Sequence, residues 1–514
     1  MGYNFRPYHQ DESFLLPIDL REWVDEGSLA AFVSDTLDML ELSGRLHPFF
    51  EPYRADGWGN KPFHPTMMLK VLLYAYCKGV TSSRRIAELL QCDIHFRFLA
   101  ANQTPDFRTI NLFRLRHIES FSTLFVEVLM LCREAGLTKA GAVALDGHKI
   151  AGNAALDQNR TLEQLRVQVE SLMTQAHQAD LREDLLFGDE RGDELPQELR
   201  NPQERLERIK AAQARLEEMF AAARSRQEEK ISQRVEQEAA TGKKKRGRKP
   251  KTAEQVQADL LEKEPKANTT DPDSRILKGR HGYVQGYNGQ AMADCESQVI
   301  RAHDLTQDEN DQGQLEPMLY AGIEQSGSVS GQVLVDAGYN SEDNARLEDR
   351  EEFSQIELYI CQQKEWKERK EAAQLQKSVE PTLAVESTQQ QVPVQSMPEQ
   401  ELPTQTNIAQ MTSEARTSSQ TIAAQESTTT TDKTDAVERV RQRMNTPEGK
   451  QIYKKRAATI EPVFGQMINR GLTRFHLRGV KKVSGEWSLW CLTHNILKLW
   501  RANNVPKGAM SPIT

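Results

Sequence analysis

Two long stretches of this chain are poor in the large apolar side chains that build a main core, and they constrain how the rest must fold. Residues 160–270 hold only two aromatics, Phe187 and Phe220, and no aromatic falls between Trp366 and Tyr453. Burial of large apolar side chains is what offsets the entropy of ordering a chain, so the core must come from segments on either side of these stretches. The first stretch still has helical periodicity, with Leu162, Leu165, Val169 and Leu172, then Leu206, Ile209, Leu216 and Met219, set among dense charge. That pattern predicts a solvated helical hairpin or coiled coil. The second, rich in Gln, Thr, Ser and Pro over 372–434, predicts a disordered insertion, taken here as 366–436.

The flanking segments differ in kind. Residues 1–140 read as an all-α unit. A helix opens at Pro65 and stops at Gly79, a second is capped by Thr81 or Ser82 and runs through Leu90, and a third is capped by Asp106. The arginines on that third helix give the trio the look of a helix-turn-helix, a spacing that any small helical domain can also show. After Ala140 the texture turns to short apolar runs. GAVALDGHKI and GQVLVDAGYN end in Asp146 and Asp336, YVQGYNGQAMA and QVIRAHDL form a hairpin around 294–297, and IELYIC adds another strand. Residues 314–325 read as a helix, 437–502 return to helix, and WSLWCLTHNILKLW has the spacing of a core helix. The resulting architecture is α/β: a mixed sheet over 141–159 and 271–365, closed by the C-terminal helices, with the two polar stretches as insertions.

Charge narrows the function. The 514 residues carry a net −8, yet 439–482 holds twelve Lys and Arg against Glu448 and Glu461, so this segment is +10 and the remainder −18. Such asymmetry suits a phosphate-binding face, or a solvated basic helix. Lys243 to Pro250 surrounds Arg246 and Arg248 with lysines, either as a basic linker or as an arm that enters a minor groove. No apolar run reaches the length of a membrane span, the N-terminus lacks the apolar stretch of a secretory signal, and six scattered cysteines make no C-x-x-C pair. A cytoplasmic protein without a zinc ribbon or disulfide framework is expected.

Two strand-end aspartates, a glutamate on a basic helix and nearby cations suggest an RNase H-like nucleotidyl-transfer site. Phosphodiester cleavage uses two hard cations about 4 Å apart, and a few carboxylates from separate elements suffice to hold them. Asp146, Asp336 and Glu461 are the candidates, although an aspartate at a strand end is commonly only a turn former. Ordered blocks then give the chain a family likeness. FHPTMMLKVLLYAYCKGVTSSRRIAE, FRFLAANQTPDFRTINLFR, ALDGHKIAGNA, TDPDSRI, GYVQGYNGQAMAD, LTQDENDQGQLEPML, LVDAGYNSEDN and MNTPEGKQIYKKRAATIEPVFGQMINRGLTRFHLRG occur in the order found in bacterial insertion-sequence transposases of the Asp-Asp-Glu (DDE) type, and the chain resembles that family.

The resemblance implies that Asp146, Asp336 and Glu461 hold two Mg2+ (or Mn2+) ions. It further implies binding of terminal inverted repeats, DNA cleavage and strand transfer into target DNA, with a homodimer on the DNA. Lys149, Lys454, Lys455, Arg456, Arg470 and Arg474 become DNA-contact candidates beside Arg246 and Arg248. Tyr453 and Arg456 answer to the family's tyrosine and arginine ahead of the glutamate, the arginine at a spacing one residue long. Seven residues after the glutamate, where the family carries Lys or Arg, stands Ile468, with Arg470 about 200° further round the helix. That departure keeps open a transposase-derived DNA-binding protein that no longer cleaves. Tyr339 and Asn340 are candidates for shaping the loop after Asp336, and Trp366 for receiving a flipped base.

Overall fold

The computed structural model describes residues 19–53, 61–139, 141–187, 197–241, 250–262, 265–279, 282–329, 331–361 and 431–504. Arg246, Arg248, Trp366 and most of the Gln/Thr-rich insertion lie outside them. Six helices come first: α1 (Leu29–Leu42), α2 (Pro65–Cys77), α3 (Ser83–Cys92), α4 (Ile94–Leu99), α5 (Phe107–Arg116) and α6 (Ser120–Glu134). Pro65 occupies the first turn of α2, where its missing N–H costs nothing, and Oδ1 of Asp106 accepts from the Thr109 amide at 2.6 Å to start α5. Ser82 does sit before α3, but its side chain makes no capping bond.

A six-stranded sheet follows, made of β1 (Val143–Ala151), β4 (Arg275–Gly279), β5 (Gly282–Asp294), β6 (Ile300–Thr306), β7 (Gly331–Val335) and β8 (Ile356–Ile360). β5 is antiparallel to β1 along one edge and pairs with both β4 and β6 along the other; β1, β7 and β8 run parallel. The hairpin between β5 and β6 turns where Oδ1 of Asp294 accepts from the amides of Glu296 and Ser297, each at 3.0 Å. Side chains alternate across the sheet, so Val143 and Leu145 pack on α10 (Leu315–Ser326) while Ala144 and Ile150 face the opposite layer.

That opposite layer unites the two halves of the chain. α14 (Val480–Asn504) buries Trp487, Trp490, Leu489 and Cys491 in one cluster with α1, α2, α6 and the sheet, so the helical N-terminal region and the sheet share a core. The charged insertion folds as α7 (Leu162–Phe187), α8 (Gln197–Thr241) and α9 (Ala253–Glu262), with a two-stranded sheet of β2 (Asn159–Thr161) and β3 (Lys266–Asn268) at its base. Leu165, Ile209, Ala212 and Leu216 bury there against Ala267, so the hairpin carries a small core of its own.

One boundary is corrected. The insertion expected over 366–436 does not reach 436, because helix α12 (Thr431–Asn445) has begun by Thr431. Ala436 and Val440, one turn apart, are buried in the cluster that covers β8, and α11 (Glu342–Ala345) lies beside them. A helix gains that contact only by starting before Ala436. Helix α13 (Pro447–Asn469) follows, with Thr446 Oγ1 accepting from the Gly449 amide at 2.9 Å and Pro447 in the first turn.

Candidate active site

β1 and β7 pair with Val143 opposite Val333 and Ala144 opposite Leu334. Two more residues in the same register bring Asp146 level with Asp336, just where β7 ends. Asp336 is fixed by its own turn, Oδ1 accepting from the Gly338 amide at 2.7 Å. Asp146 Oδ1 accepts from the Gly147 amide at 2.9 Å. Two carboxylates 190 positions apart in sequence become neighbours because parallel pairing aligns their strands.

Helix α13 lies across them and is pinned at several points. Tyr453 donates its hydroxyl to the Val335 carbonyl (3.1 Å), one residue before Asp336, and Phe464 stacks on His148 at 5.2 Å and on Trp487 at 6.2 Å. Pro462 lacks the N–H that would bond the Ala458 carbonyl; Gln298 Nε2 supplies that bond instead, at 3.1 Å, so the proline costs the helix no buried acceptor. The helix thereby sets Glu461 on the rim of the cleft that Asp146 and Asp336 also line, with Lys149, Lys278 and Asp311.

Arg456 Nη2 donates to Asp146 Oδ2 at 2.7 Å and lies 4.0 Å from Asp336 Oδ2. Its guanidinium stands between the two carboxylates. Burial raises the Asp146 carboxyl to about 7; Arg456 pulls against that rise, and the nearby Asp336 and Asp311 add to it. Asp146 is therefore short of positive charge even with the arginine in place.

A divalent cation makes its own demands on these residues. Among the described residues no three carboxylate, histidine or cysteine groups converge into a closed cage. Magnesium does not need one, since it keeps several waters and takes one or two carboxylates. The donors are all hard oxygens, Asp146 has unmet demand for positive charge, and a guanidinium already stands in for a cation there. The residues fit such an ion, with Asp146, Asp336 and Glu461 as the groups that would hold it.

Comparison with known proteins gives two family matches. Residues 411–500, which include Glu461, match the family described as transposase DDE domain, and residues 18–116 match the family described as transposase domain (DUF772). Both matches support a likeness to the insertion-sequence DDE transposases. No curated protein and no solved structure matches the chain. The family indicates a role in transposition. No helix among the described residues is long and apolar enough to cross a membrane.

The other sequence candidates fare unevenly. Lys149 reaches the cleft, its Nζ donating to the Lys278 carbonyl at 3.1 Å, and Lys454, Lys455 and Arg474 are exposed. Arg470 does not reach the cleft. Its guanidinium lies 5.5 Å over the Trp490 ring, all three nitrogens are shielded from solvent, and burial lowers its pKa. Ile468 lines the cleft. The +10 segment is also less available than its composition implies, because Arg439 and Arg443 pair with Glu348, Arg439 with Asp349 as well, and Arg456 with Asp146.

Sequence reasoning passed over the groups behind the carboxylates. Asp311 Oδ1 accepts from Asn288 Nδ2 (2.6 Å) and Gln290 Nε2 (2.8 Å), and Gln290 Oε1 accepts from the buried Tyr339 hydroxyl (2.5 Å). Tyr339 thus ties the loop after Asp336 to β5. The network passes over Gly147, where a Cβ would come within 2.3 Å of Gln290 Nε2 and 2.5 Å of Asp311 Oδ1. The polar residues of GYNGQ in an otherwise buried strand were the available signal, since buried amides require partners.

Proposed function

We propose that this cleft cuts and joins DNA at the ends of a mobile element. The observation that carries the reading is the alignment of Asp146 with Asp336 on parallel strands, beneath a helix that brings Glu461 to the same rim. The strand order, with β5 antiparallel beside a parallel β1, β7 and β8, supports an RNase H-like core.

In the proposed reaction water attacks the phosphorus at the element's end, the P–O3′ bond breaks, and a 3′-hydroxyl and a 5′-phosphate are left. That 3′-hydroxyl then attacks a phosphodiester of target DNA and displaces a target 3′-hydroxyl in line. Divalent cations, magnesium or manganese, would supply charge neutralisation for the attacking and leaving oxygens when bound. Asp146, Asp336 and Glu461 orient and anchor; Lys149 and Lys278 at the rim offer positive charge to the scissile phosphate; the buried wall of Tyr339 and Gln290 holds the Asp336 loop still. Double-stranded DNA, both terminal repeats and target, is the partner, and joining two ends calls for two copies of the chain on the DNA.

The test incubates the protein with labelled element ends and Mg2+ and scores cleavage and strand transfer separately. Asp146→Asn and Asp336→Asn should abolish both products while duplex binding persists, because an amide keeps the shape and loses the charge. Wild-type binding without any product would instead support a DNA-binding protein derived from a transposase.

A further inference from the structure

A groove away from the carboxylates has the features of a phosphate site. It lies between α3 and α5 of the helical region on one side and the segments carrying Asn153 and His476 on the other. Arg114 forms part of its wall. This arginine is 6% exposed and donates only to neutral oxygens, those of Tyr76, Thr81 and Asn111; its Nε has no partner. The carboxylate whose charge it feels is Glu486, but both oxygens of Glu486 accept from the amide of His476, and one also accepts from the Leu477 amide. A buried guanidinium with no carboxylate bonded to it is costly unless an anion arrives.

Three further features favour an anion. Arg84 and Arg108 both lie over the Phe107 ring, at 5.3 and 5.7 Å, and neither forms a salt bridge among the described residues. The ring holds the two cations at the groove mouth before any ligand binds. The groove also takes in the N-terminus of α3, whose first amides have no helical acceptors, whose Ser82 side chain does not cap, and whose Ser83 hydroxyl is buried without a partner. Finally, no carboxylate lines the groove among the described residues.

We propose that this groove binds a backbone phosphate of the element's own duplex end, in continuity with the cleft; the inference rests on the DNA-end reading above. The link is β1 itself. From Asp146 to Asn153 the chain advances seven residues, at most about 23 Å when extended, which corresponds to roughly seven base pairs of duplex. A duplex whose cleaved phosphate lies at Asp146 would therefore present another phosphate to Arg84, Arg108 and Arg114. The contact is to backbone, so it fixes register without reading sequence.

The experiment uses the full chain and the Arg84→Ala/Arg108→Ala double variant, both substitutions being at exposed positions. Binding to an unselected duplex of about 40 base pairs is measured against salt, and ethylation interference is mapped on the element's end. The expected result is a salt slope shallower by up to about 1.8 units, with loss of interference roughly seven base pairs inside the cleavage point. A wild-type slope and an unchanged interference pattern would overturn the groove. Asp146→Asn runs in parallel: if it still cleaves, the DDE reading fails while the groove result stands by its own slope. Competition by single-stranded RNA equal to that by duplex would also sink the assignment to duplex DNA.

Discussion

Arg456 Nη2 lies 2.7 Å from Asp146 Oδ2 and within 4.0 Å of Asp336 Oδ2, so one guanidinium stands between the two aspartates of the cleft. Without it, two partly buried carboxylates would face each other uncompensated. A divalent ion held by the same two aspartates would compete with Arg456 for their negative charge.

This competition predicts opposite effects of Arg456→Ala with and without metal. The metal-free variant should lose about 3 kcal/mol, as when one partner of a buried pair is removed, and its melting temperature should fall. Its affinity for Mn2+, measured by calorimetry, should rise, because no internal cation competes. Weaker Mn2+ binding in the variant would show that Arg456 supports the ion site instead of filling it.

Gly147 makes a sharper claim about the wall behind the site. A methyl group there meets Gln290, Asp311 and Asn288, all closer than 3.0 Å. Gly147→Ala should therefore cost about 1 to 3 kcal/mol through overpacking and should lower cleavage more than duplex binding. Chemical denaturation and a binding titration read the two effects separately, and a variant with wild-type values in both would mean the amide network yields freely.

Lys454 and Lys455 are exposed on α13, unlike Arg456. Replacing both with alanine should flatten the salt dependence of duplex binding by up to about 1.8 units, at about 0.9 per phosphate contact. An unchanged slope would make these lysines a solvated helix face and leave the DNA path elsewhere.

Buried histidines make the fold sensitive to acid, against the opposite effect of the buried Asp146 carboxyl. Burial lowers His303 and His117 to about 4 and His494 to about 3, the last with Lys498 adding to the effect. Each folded pKa is below the ordinary value, so the native state binds fewer protons than the unfolded chain. Their contribution is present above about pH 6.5 and is lost as pH falls toward 4 and 3. Melting temperature should fall across that window, and His303→Phe, if it folds, should show a smaller drop. A flat profile from pH 7 to about 4 would contradict the buried neutral state.

The local sequence fixes the pieces of this protein. The apolar runs before Asp146 and Asp336 give strands, although β1 continues through Asp146 to Ala151 instead of ending there, because β5 pairs with it along that whole length. Pro65 and Asp106 start helices, and the aromatic-poor spans cannot supply the main core; those are consequences of side-chain volume, capping and hydrophobic spacing within a few residues. Tertiary structure alone decides which charges are free. Arg456, Arg470 and Lys454 lie within 17 positions and look alike in sequence, yet one pairs with Asp146, one lies under solvent-excluding cover against Trp490, and one faces solvent. The difference comes from helix phase and from partners brought over long separations, Asp146 by strand pairing and Trp490 by the packing of α14. Asp311 was hidden for the same reason: it lies in the loop after β6 while its amide partners Asn288 and Gln290 lie on β5, and only the folded sheet turns three ordinary polar residues into the wall of a site.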